Sequence, residues 1–303
     1  HPTKEKKMNL AMHSLAEKAQ NIYENINQWS HGSLEILKNA GQRFGKKNAS
    51  QAAAGMAYYT LFSLFPFLII MVTIASFFVK GAQAVAQITD VMETVIPVSQ
   101  NLVQTNLERI LEIRNSIGAL GLVGFLWSAS NAFFMLVHNV NQAWLDIEPQ
   151  SFIKKRIVAF AMVATILGLL ILLMLSSSIL DLIAQTQIPV LGKTPFLDSR
   201  IYNLITNISP WLFSFLFFVS LYRWIPSADV SWKAASWSAA LAAPLWRLAS
   251  RGFSWYLRSG FPSYDLIYGS LSAIVVLLLW IYLSNIIILL GAHVCAAINE
   301  QEE

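Results

Sequence analysis

The stretch YGSLSAIVVLLLWIYLSNIIILLGAHVCAA, residues 268–297, decides the fold class of this chain. It is longer than the roughly 20 apolar residues that a helix needs to cross a bilayer, and several other runs are also long enough. The chain is 55% hydrophobic and only 13% charged, whereas a soluble domain typically carries about 25% charged residues. Transmembrane β-strands are about ten residues long and alternate in polarity, which these runs do not. The sequence therefore predicts an all-α polytopic membrane protein.

Two regions follow from the distribution of these runs. Residues 1–47 predict a cytosolic or interfacial amphipathic segment, and residues 48–300 predict a six-helix transmembrane domain. Residues 81–116 are moderately amphipathic and carry turn signals, so they predict short extracytoplasmic helices rather than another crossing. The six predicted spans cover residues 49–79, 118–140, 157–184, 208–224, 232–251 and 268–297.

The placement of Lys and Arg predicts the orientation. Six spans put both termini on one side, and short basic stretches at residues 43–47 and 154–156 abut spans on that side. Cytoplasmic loops carry an excess of Lys and Arg, so both termini are predicted to be cytoplasmic. The basic balance then indicates contact with anionic lipid head groups. A nucleic-acid-binding protein would need a basic face with a fold of its own, and none is visible.

Small residues at a spacing of four predict close helix contacts in the second and fifth spans. In lipid, helices associate through such residues because the hydrophobic effect gives them little reason to meet. The rows are Gly124, Ser128 and Ala132 in one span, and Ala235, Ala239 and Ala243 in the other.

Arginines continue the alanine row of the fifth span. Arg247, Arg251 and Arg258 fall within about 40° of one another if the helix persists past Gly252. An arginine within a span costs roughly 2.5–3.5 kcal/mol on insertion scales, so Arg247 should not face lipid tails. Two interpretations stay open: a structural ion pair or snorkelling to the surface, and a basic site for an anionic group such as a lipid phosphate. Pro244 just before Arg247 predicts a kink.

The ligand-binding candidates are therefore arginines with acidic residues that compete to pair with them. Arg223, within LYRWIP at residues 221–226, is either part of this site or an interfacial anchor, because Trp and Tyr favour the interface. The set is Arg247, Arg251, Arg223, Asp181 and Asp265.

The first span contains YYTLFSLFP at residues 58–66, which combines tyrosines, hydroxyls and a helix-breaking proline. Pro66 frees the carbonyl of Phe62, and a neighbouring hydroxyl can help to satisfy local backbone groups. The segment is either a kinked core helix with tyrosines that hydrogen-bond across the bundle, or a hinge that lines a pathway. The hinge or pathway candidates are Tyr58, Tyr59, Ser63, Pro66 and Pro244.

No catalytic constellation, cofactor motif or metal site is predicted. His138 and His293 end two spans at similar depth, but no carboxylate motif accompanies them. A metal-dependent nuclease needs His and Asp clusters that hold two metals about 4 Å apart. No Gly-x-x-x-x-Gly-Lys-Ser/Thr loop is present for ATP.

Four stretches together resemble the YihY/BrkB family of bacterial inner-membrane proteins, formerly labelled ribonuclease BN. They are AYYTLFSLFP at 57–66, LWSASNAFFMLVHNVNQAW at 126–144, LYRWIP at 221–226, and YGSLSAIVVLLLWIYLSNIIILLGAHVCAAINE at 268–300. The resemblance implies a six-helix, multi-pass inner-membrane protein with cytoplasmic termini. It also implies a transporter-like protein linked to serum resistance and to export of envelope lipid.

Two functions are compatible with these residues. One is a transporter-like protein that moves or binds an anionic lipid or amphiphile of the cell envelope, with Arg247 and its neighbours at the head group. The other is a non-transporting scaffold for envelope assembly. The expected partners are membrane lipids with anionic head groups, and not nucleic acid. A homo-oligomer or an envelope protein partner stays open, and neither an enzyme nor a ribonuclease is expected.

Overall fold

The computed structural model describes residues 33–78, 119–144, 151–165, 168, 200–259 and 271–302. In these ranges every long element is a helix, and no strand occurs. We number the helices α1 (Ser33–Lys46), α2 (Ala49–Phe78), α3 (Ala119–Asn141), α4 (152–165), α5 (Arg200–Trp224), α6 (Trp232–Arg258) and α7 (Ser272–Glu302).

The boundaries of α2 and α3 agree with the predicted spans to within a residue, whereas α5 begins eight residues before the predicted 208 and α7 is shifted by four to five residues towards the C-terminus. The end of α6 is the most informative difference. The fifth predicted span ends at residue 251, whereas α6 continues through Gly252 to Arg258. The added turns persist because Phe253 is buried, with its ring centroid 5.3 Å from that of Trp280 on α7. Tertiary packing thus outweighs the weak helix propensity of glycine.

Other predicted segments fall partly or wholly outside the described ranges. These are the first 32 residues, the predicted surface helices at 81–116 and most of the third span, of which α4 is the described beginning. Within the described ranges, α7 is the helix long and apolar enough to cross a membrane by length and composition. The six-span arrangement therefore stays a prediction.

Helix α7 organises the bundle. It contacts α1, α2 and α6, while α3 packs on α2 and α5 packs on α6. The buried core lies between these helices and includes Trp280, Tyr222, Phe218 and Leu221.

The two predicted small-residue rows differ in outcome. Ala235, Ala239 and Ala243 are all buried in the core, as close helix contact requires. Gly124 is exposed, and among the described residues a Cβ built on it meets nothing within 4 Å, so the contact predicted for the α3 row stays a prediction at that position.

A two-residue turn, Lys47 and Asn48, connects α1 to α2. Asn48 adopts a φ of 51°, a left-handed conformation that Asn tolerates better than most residues. Its carbonyl accepts hydrogen bonds from the backbone N–H groups of Gln51 and Ala52, at 3.0 and 3.1 Å, and so starts α2.

Helix α1 packs against the last turns of α7. Its Ala40 is buried with Val294 and Ala297, and the Arg43 guanidinium donates two hydrogen bonds to the Glu300 carboxylate. That bidentate contact raises the pKa of Arg43 above its ordinary value, because it stabilises the charged form. The amphipathic segment therefore packs on the bundle, at least from residue 33 onward.

Candidate functional site

Arg247 lies on α6, fifteen residues after Trp232, and so about 22 Å along the helix from its first residue. The side chain is half-buried, and its Cζ lies 5.2 Å from the ring centroid of Trp211 on α5. Its Nε and Nη2 atoms are buried and have no hydrogen-bond partner among the described residues. A cation over an aromatic face gains about 0.5–2 kcal/mol, which does not replace two missing hydrogen bonds of a charged group.

The other arginines of the predicted stripe are accessible. Arg251 and Arg258 are exposed, one and three turns beyond Arg247 on the same helix. Asp181 and Asp265, the predicted partners of Arg247, lie outside the described residues. The ion-pair interpretation of Arg247 therefore stays a prediction.

Arg223 lies apart from Arg247. Its Cζ is 5.5 Å from the ring centroid of Trp232, at the start of α6, whereas Arg247 lies about 22 Å further along that helix. The Nε of Arg223 is buried without a partner in the described ranges. The structure thus brings Arg247 and Arg251 together on one helix and separates them from Arg223.

The YYTLFSLFP stretch divides into an outer and an inner side. Tyr58, Tyr59 and Phe62 are exposed and form an aromatic cluster, with the Tyr58 ring 5.5 Å from Tyr59 and 4.8 Å from Phe62. Ser63 is buried, and its Oγ donates a 2.9 Å hydrogen bond to the backbone carbonyl of Ser128 on α3. Ser63 therefore links α2 to α3 by a hydrogen bond, and the tyrosines lie on the outer surface of the described bundle.

Both proline hinge candidates lie inside continuous helices. Pro66 is within α2 and Pro244 is within α6, and each helix is helical on both sides of its proline. Pro66 is half-buried and Pro244 is exposed. Each proline removes one backbone donor, which leaves a soft point in the helix.

Sequence reasoning missed Arg156, at the beginning of α4. Only 8% of this residue is exposed, and its Nη1 donates hydrogen bonds to Ser130 Oγ at 2.7 Å and Asn131 Oδ1 at 3.0 Å. Its Cζ lies 3.9 Å from the ring centroid of Trp127, 5.1 Å from that of Phe134 and 5.6 Å from that of Phe152.

From the sequence, Arg156 was grouped with Lys154 and Lys155 as one short basic stretch next to a span. The available signal was the neighbouring segment LWSASNAFF at 126–134, which places hydroxyl, amide and aromatic groups along one stretch of helix. Only the packing of α4 on α3 shows that these groups surround Arg156.

The two histidines considered for a metal site have separate surroundings. His138 lies between Lys155 and Gln142. The Nζ of Lys155 is 3.0 Å from Nδ1 of the His138 ring, and the Nε2 of Gln142 is 3.1 Å from Nε2 of the same ring. His293 is buried against the edge of Phe44, with its ring centroid 5.8 Å away. No group of three or more His, Cys, Asp or Glu side chains that could hold a metal occurs among the described residues.

Two asparagines hold the connection between α5 and α6. Asn141 Oδ1 accepts hydrogen bonds from the backbone N–H and the hydroxyl of Ser227, at 2.7 and 2.8 Å, and its Nδ2 reaches the carbonyl of Ile225 at 3.4 Å. Asn299 Oδ1 accepts from the Ser231 N–H at 2.8 Å. The ends of α3 and α7 therefore both contact residues 225–231.

The carboxylate of Glu302 completes this end of the bundle. It accepts a hydrogen bond from Ser231 Oγ at 2.5 Å and pairs with Lys233 Nζ at 2.7 Å. These contacts from Lys233 and Ser231 lower the pKa of Glu302 below its ordinary value of 4.5. An open groove of about 310 Å³ beside them is lined by Asp229, Val230, Ser231, Asn299 and Glu302.

The four stretches that carry the family resemblance thus meet in space. Ser63 of the first contacts Ser128 of the second, and Asn141 of the second contacts Ile225 of the third. Tyr222 of the third donates a 3.2 Å hydrogen bond to the carbonyl of Ile288 in the fourth.

The sequence profile of the family described as "Virulence factor BrkB" matches residues 40–303. The chain belongs to this BrkB family. A UPF0761 membrane protein of Vibrio parahaemolyticus serotype O3:K6 is 34% identical to it over 252 residues, which cover 82% of this chain and 77% of the relative. A UPF0761 membrane protein of Vibrio cholerae serotype O1 (El Tor Inaba N16961) is 32% identical over 280 residues, 91% of each chain.

A third relative, the Bacillus subtilis protein YfkH, carries a ribonuclease-like name and is 31% identical over 276 residues, 89% of this chain and 97% of YfkH. No solved structure matches the BrkB-family chain significantly. Because the chain belongs to this family and its Vibrio relatives are named membrane proteins, it is a membrane protein.

Proposed function

We propose that this BrkB-family protein binds and moves an anionic lipid or amphiphile of the cell envelope, as a six-span protein of the bacterial inner membrane with cytoplasmic termini. The observation that carries the proposal is Arg247. Its guanidinium has two buried nitrogens without a hydrogen-bond partner among the described residues, and one face is covered by Trp211.

An anionic ligand would supply the hydrogen-bond acceptors and the negative charge that Arg247 does not find among the described residues. Buried charges are costly unless they are paired and hydrogen-bonded, and a guanidinium donates two parallel hydrogen bonds to a phosphate or carboxylate. Arg251, one turn further and exposed, adds a second positive charge on the approach to Arg247. The head group of an anionic amphiphile would satisfy both the charge and the unused donors.

Reconstitution in proteoliposomes tests this function. The wild-type protein is expected to move a fluorescent anionic lipid between leaflets faster than protein-free liposomes do, and Arg247→Ala is expected to slow this movement. Loss of a charged hydrogen-bond donor costs about 1.5–3 kcal/mol, which corresponds to roughly tenfold or more in affinity for the head group.

A matched control is available on the same helix. Arg258→Ala removes an exposed arginine of the same stripe, eleven residues from Arg247, and should leave the rate near that of the wild type. If correctly folded Arg247→Ala moves the lipid as fast as the wild type, Arg247 has no part in transport.

A membrane scaffold is the second candidate, supported by the outer side of α1. Leu37, Lys46 and Lys47 are exposed there while Ala40 and Arg43 hold the helix on α7. This function predicts wild-type liposomes with no lipid movement above background. It also predicts that Leu37→Asp abolishes co-purification of an envelope protein without loss of thermal stability.

A further inference from the structure

Arg156 extends to the middle of a neighbouring helix instead of to its end. Helix α4 runs antiparallel to α3, because Phe152 contacts Phe134 while Phe160 contacts Trp127. The guanidinium of Arg156 bonds to Ser130, eleven residues before the last residue of α3, and therefore about 16 Å from that end.

The adjacent lysine behaves in the opposite way. Lys155 extends towards the end of α3 and places its Nζ 3.0 Å from His138 Nδ1, about 12 Å along α3 from Ser130. This is the snorkelling direction that basic side chains take when they avoid an apolar interior. Two consecutive basic residues thus separate, and Arg156 alone remains beside the middle of α3.

The described residues around Arg156 do not neutralise its charge. The residue is 8% exposed, and the two groups that accept its Nη1 hydrogen bonds, Ser130 Oγ and Asn131 Oδ1, are both uncharged. Its Nε is buried without a partner, and no salt bridge to Arg156 occurs in the described part of the chain. The face of Trp127, at 3.9 Å, stabilises the cation but accepts no conventional hydrogen bond.

We propose that Arg156 is the centre of a second anion-binding site, which takes the phosphate group of an anionic lipid. Phosphate oxygens suit the fork of donors on a guanidinium, and they would accept from the nitrogens that Ser130 and Asn131 leave unused. This site lies on the α3–α4 pair. It uses none of the contacts of Arg247 and does not rest on the transport function proposed above.

The outer surface of the α3–α4 pair favours a lipid over inorganic phosphate as the source of this group. Large apolar side chains beside Arg156 are exposed on both helices: Trp127 is 49% exposed, Phe152 57% and Ile157 62%. An acyl chain would cover these side chains while its phosphate approached Arg156. Inorganic phosphate offers nothing to cover them.

Lipid retention measured by native mass spectrometry tests the site. We expect the wild-type protein to retain one tightly held phosphatidylglycerol that phosphatidylcholine does not replace, and Arg156→Gln to bind it roughly tenfold more weakly. Lys154→Gln, which removes an exposed charge two residues away, should bind as the wild type does. Unchanged phosphatidylglycerol binding in folded Arg156→Gln would overturn the proposal.

Inorganic phosphate serves as a separate arm. We expect millimolar phosphate not to displace the lipid from the wild-type protein. If phosphate displaces the lipid from the wild-type protein through Arg156, the site still binds an oxyanion, but its ligand is soluble phosphate and the lipid assignment is wrong.

A second measurement keeps the native arginine and does not depend on how Arg156→Gln folds. A photoreactive p-benzoylphenylalanine replaces Phe152, beside Arg156, or Trp237, which is 64% exposed on α6. At position 152 we expect cross-links to phosphatidylglycerol in clear excess over phosphatidylcholine, and at position 237 no preference. Equal labelling by the two lipids at both positions would show that no anionic lipid is selected here. Neither measurement involves transport, so failure of this site leaves the role of Arg247 to be judged separately.

Discussion

The phenol ring of Tyr222 on α5 occupies the space that any side chain at position 291 of α7 would need. A Cβ built on Gly291 would lie 1.9 Å from the Tyr222 oxygen and 2.6 Å from its Cζ. Tyr222 is fully buried, and its hydroxyl donates to the carbonyl of Ile288, so the ring is held in place. The absence of a side chain at Gly291 is therefore a packing requirement between two helices.

Gly291→Ala should destabilise the protein. Overpacking typically costs about 1–3 kcal/mol, and here the obstacle is a buried ring fixed by a hydrogen bond. The expected result is a lower midpoint of thermal unfolding in detergent. Gly55→Ala on α2 is the matched control, because a Cβ there meets no described residue within 4 Å and alanine favours the helix. Equal stability of the two variants would contradict the close packing of Tyr222 on Gly291.

Asn141→Ala should loosen the connection between α5 and α6. The substitution removes the acceptor for both the backbone N–H and the hydroxyl of Ser227, two part-buried hydrogen bonds that each contribute about 0.5–1.5 kcal/mol. We expect faster proteolysis of residues 225–231 and a lower unfolding midpoint. Gln142→Ala, at the exposed neighbouring position, should change neither, and an identical loss in both variants would exclude a specific role for Asn141.

The contact of Glu302 with Ser231 and Lys233 should be lost in acid. Because the folded protein lowers the pKa of Glu302, its ionised form contributes stability fully above 4.5, and that contribution disappears as the pH falls through the lowered pKa. Hydrogen-exchange protection at the start of α6, taken relative to the intrinsic exchange rate at each pH, should therefore fall below about pH 4.5. Glu302→Gln should lose this pH dependence, and its persistence in that variant would assign it to another group.

The prolines of α2 and α6 should affect movement more than stability. Pro66→Ala restores the backbone N–H that can bond to the carbonyl of Phe62, so the unfolding midpoint should stay constant or rise. If α2 bends at this point during lipid movement, the rate in proteoliposomes should fall several-fold, and Pro244→Ala should act in the same way. Pro210→Ala in α5 is the comparison, since that proline was not a hinge candidate. If Pro66→Ala and Pro244→Ala both move lipid at the wild-type rate, neither proline acts as a hinge.

Much of the fold was predictable because its determinants are local. Apolar run length predicted the helices, and the boundaries at Ala49, Trp224 and Trp232 were right to within a residue. The continuation of α6 past Gly252 was not predictable, because it depends on the packing of Phe253 on Trp280, a contact between helices. For the candidate site, the sequence pointed to Arg247 because a charge within a predicted span is costly, but the aromatic neighbour Trp211 could not be inferred from spacing.

The sequence by itself determined the helical class and the family, because hydrophobic run length and turn residues act over short distances along the chain. The tertiary structure alone decided which charges are buried and what they meet. Arg156 belongs to the same basic run as Lys155, yet one is enclosed by Trp127 and Ser130 while the other extends to His138. The physical reason is that a side chain's environment depends on the helix packed against it, and the residues of that helix are distant in sequence.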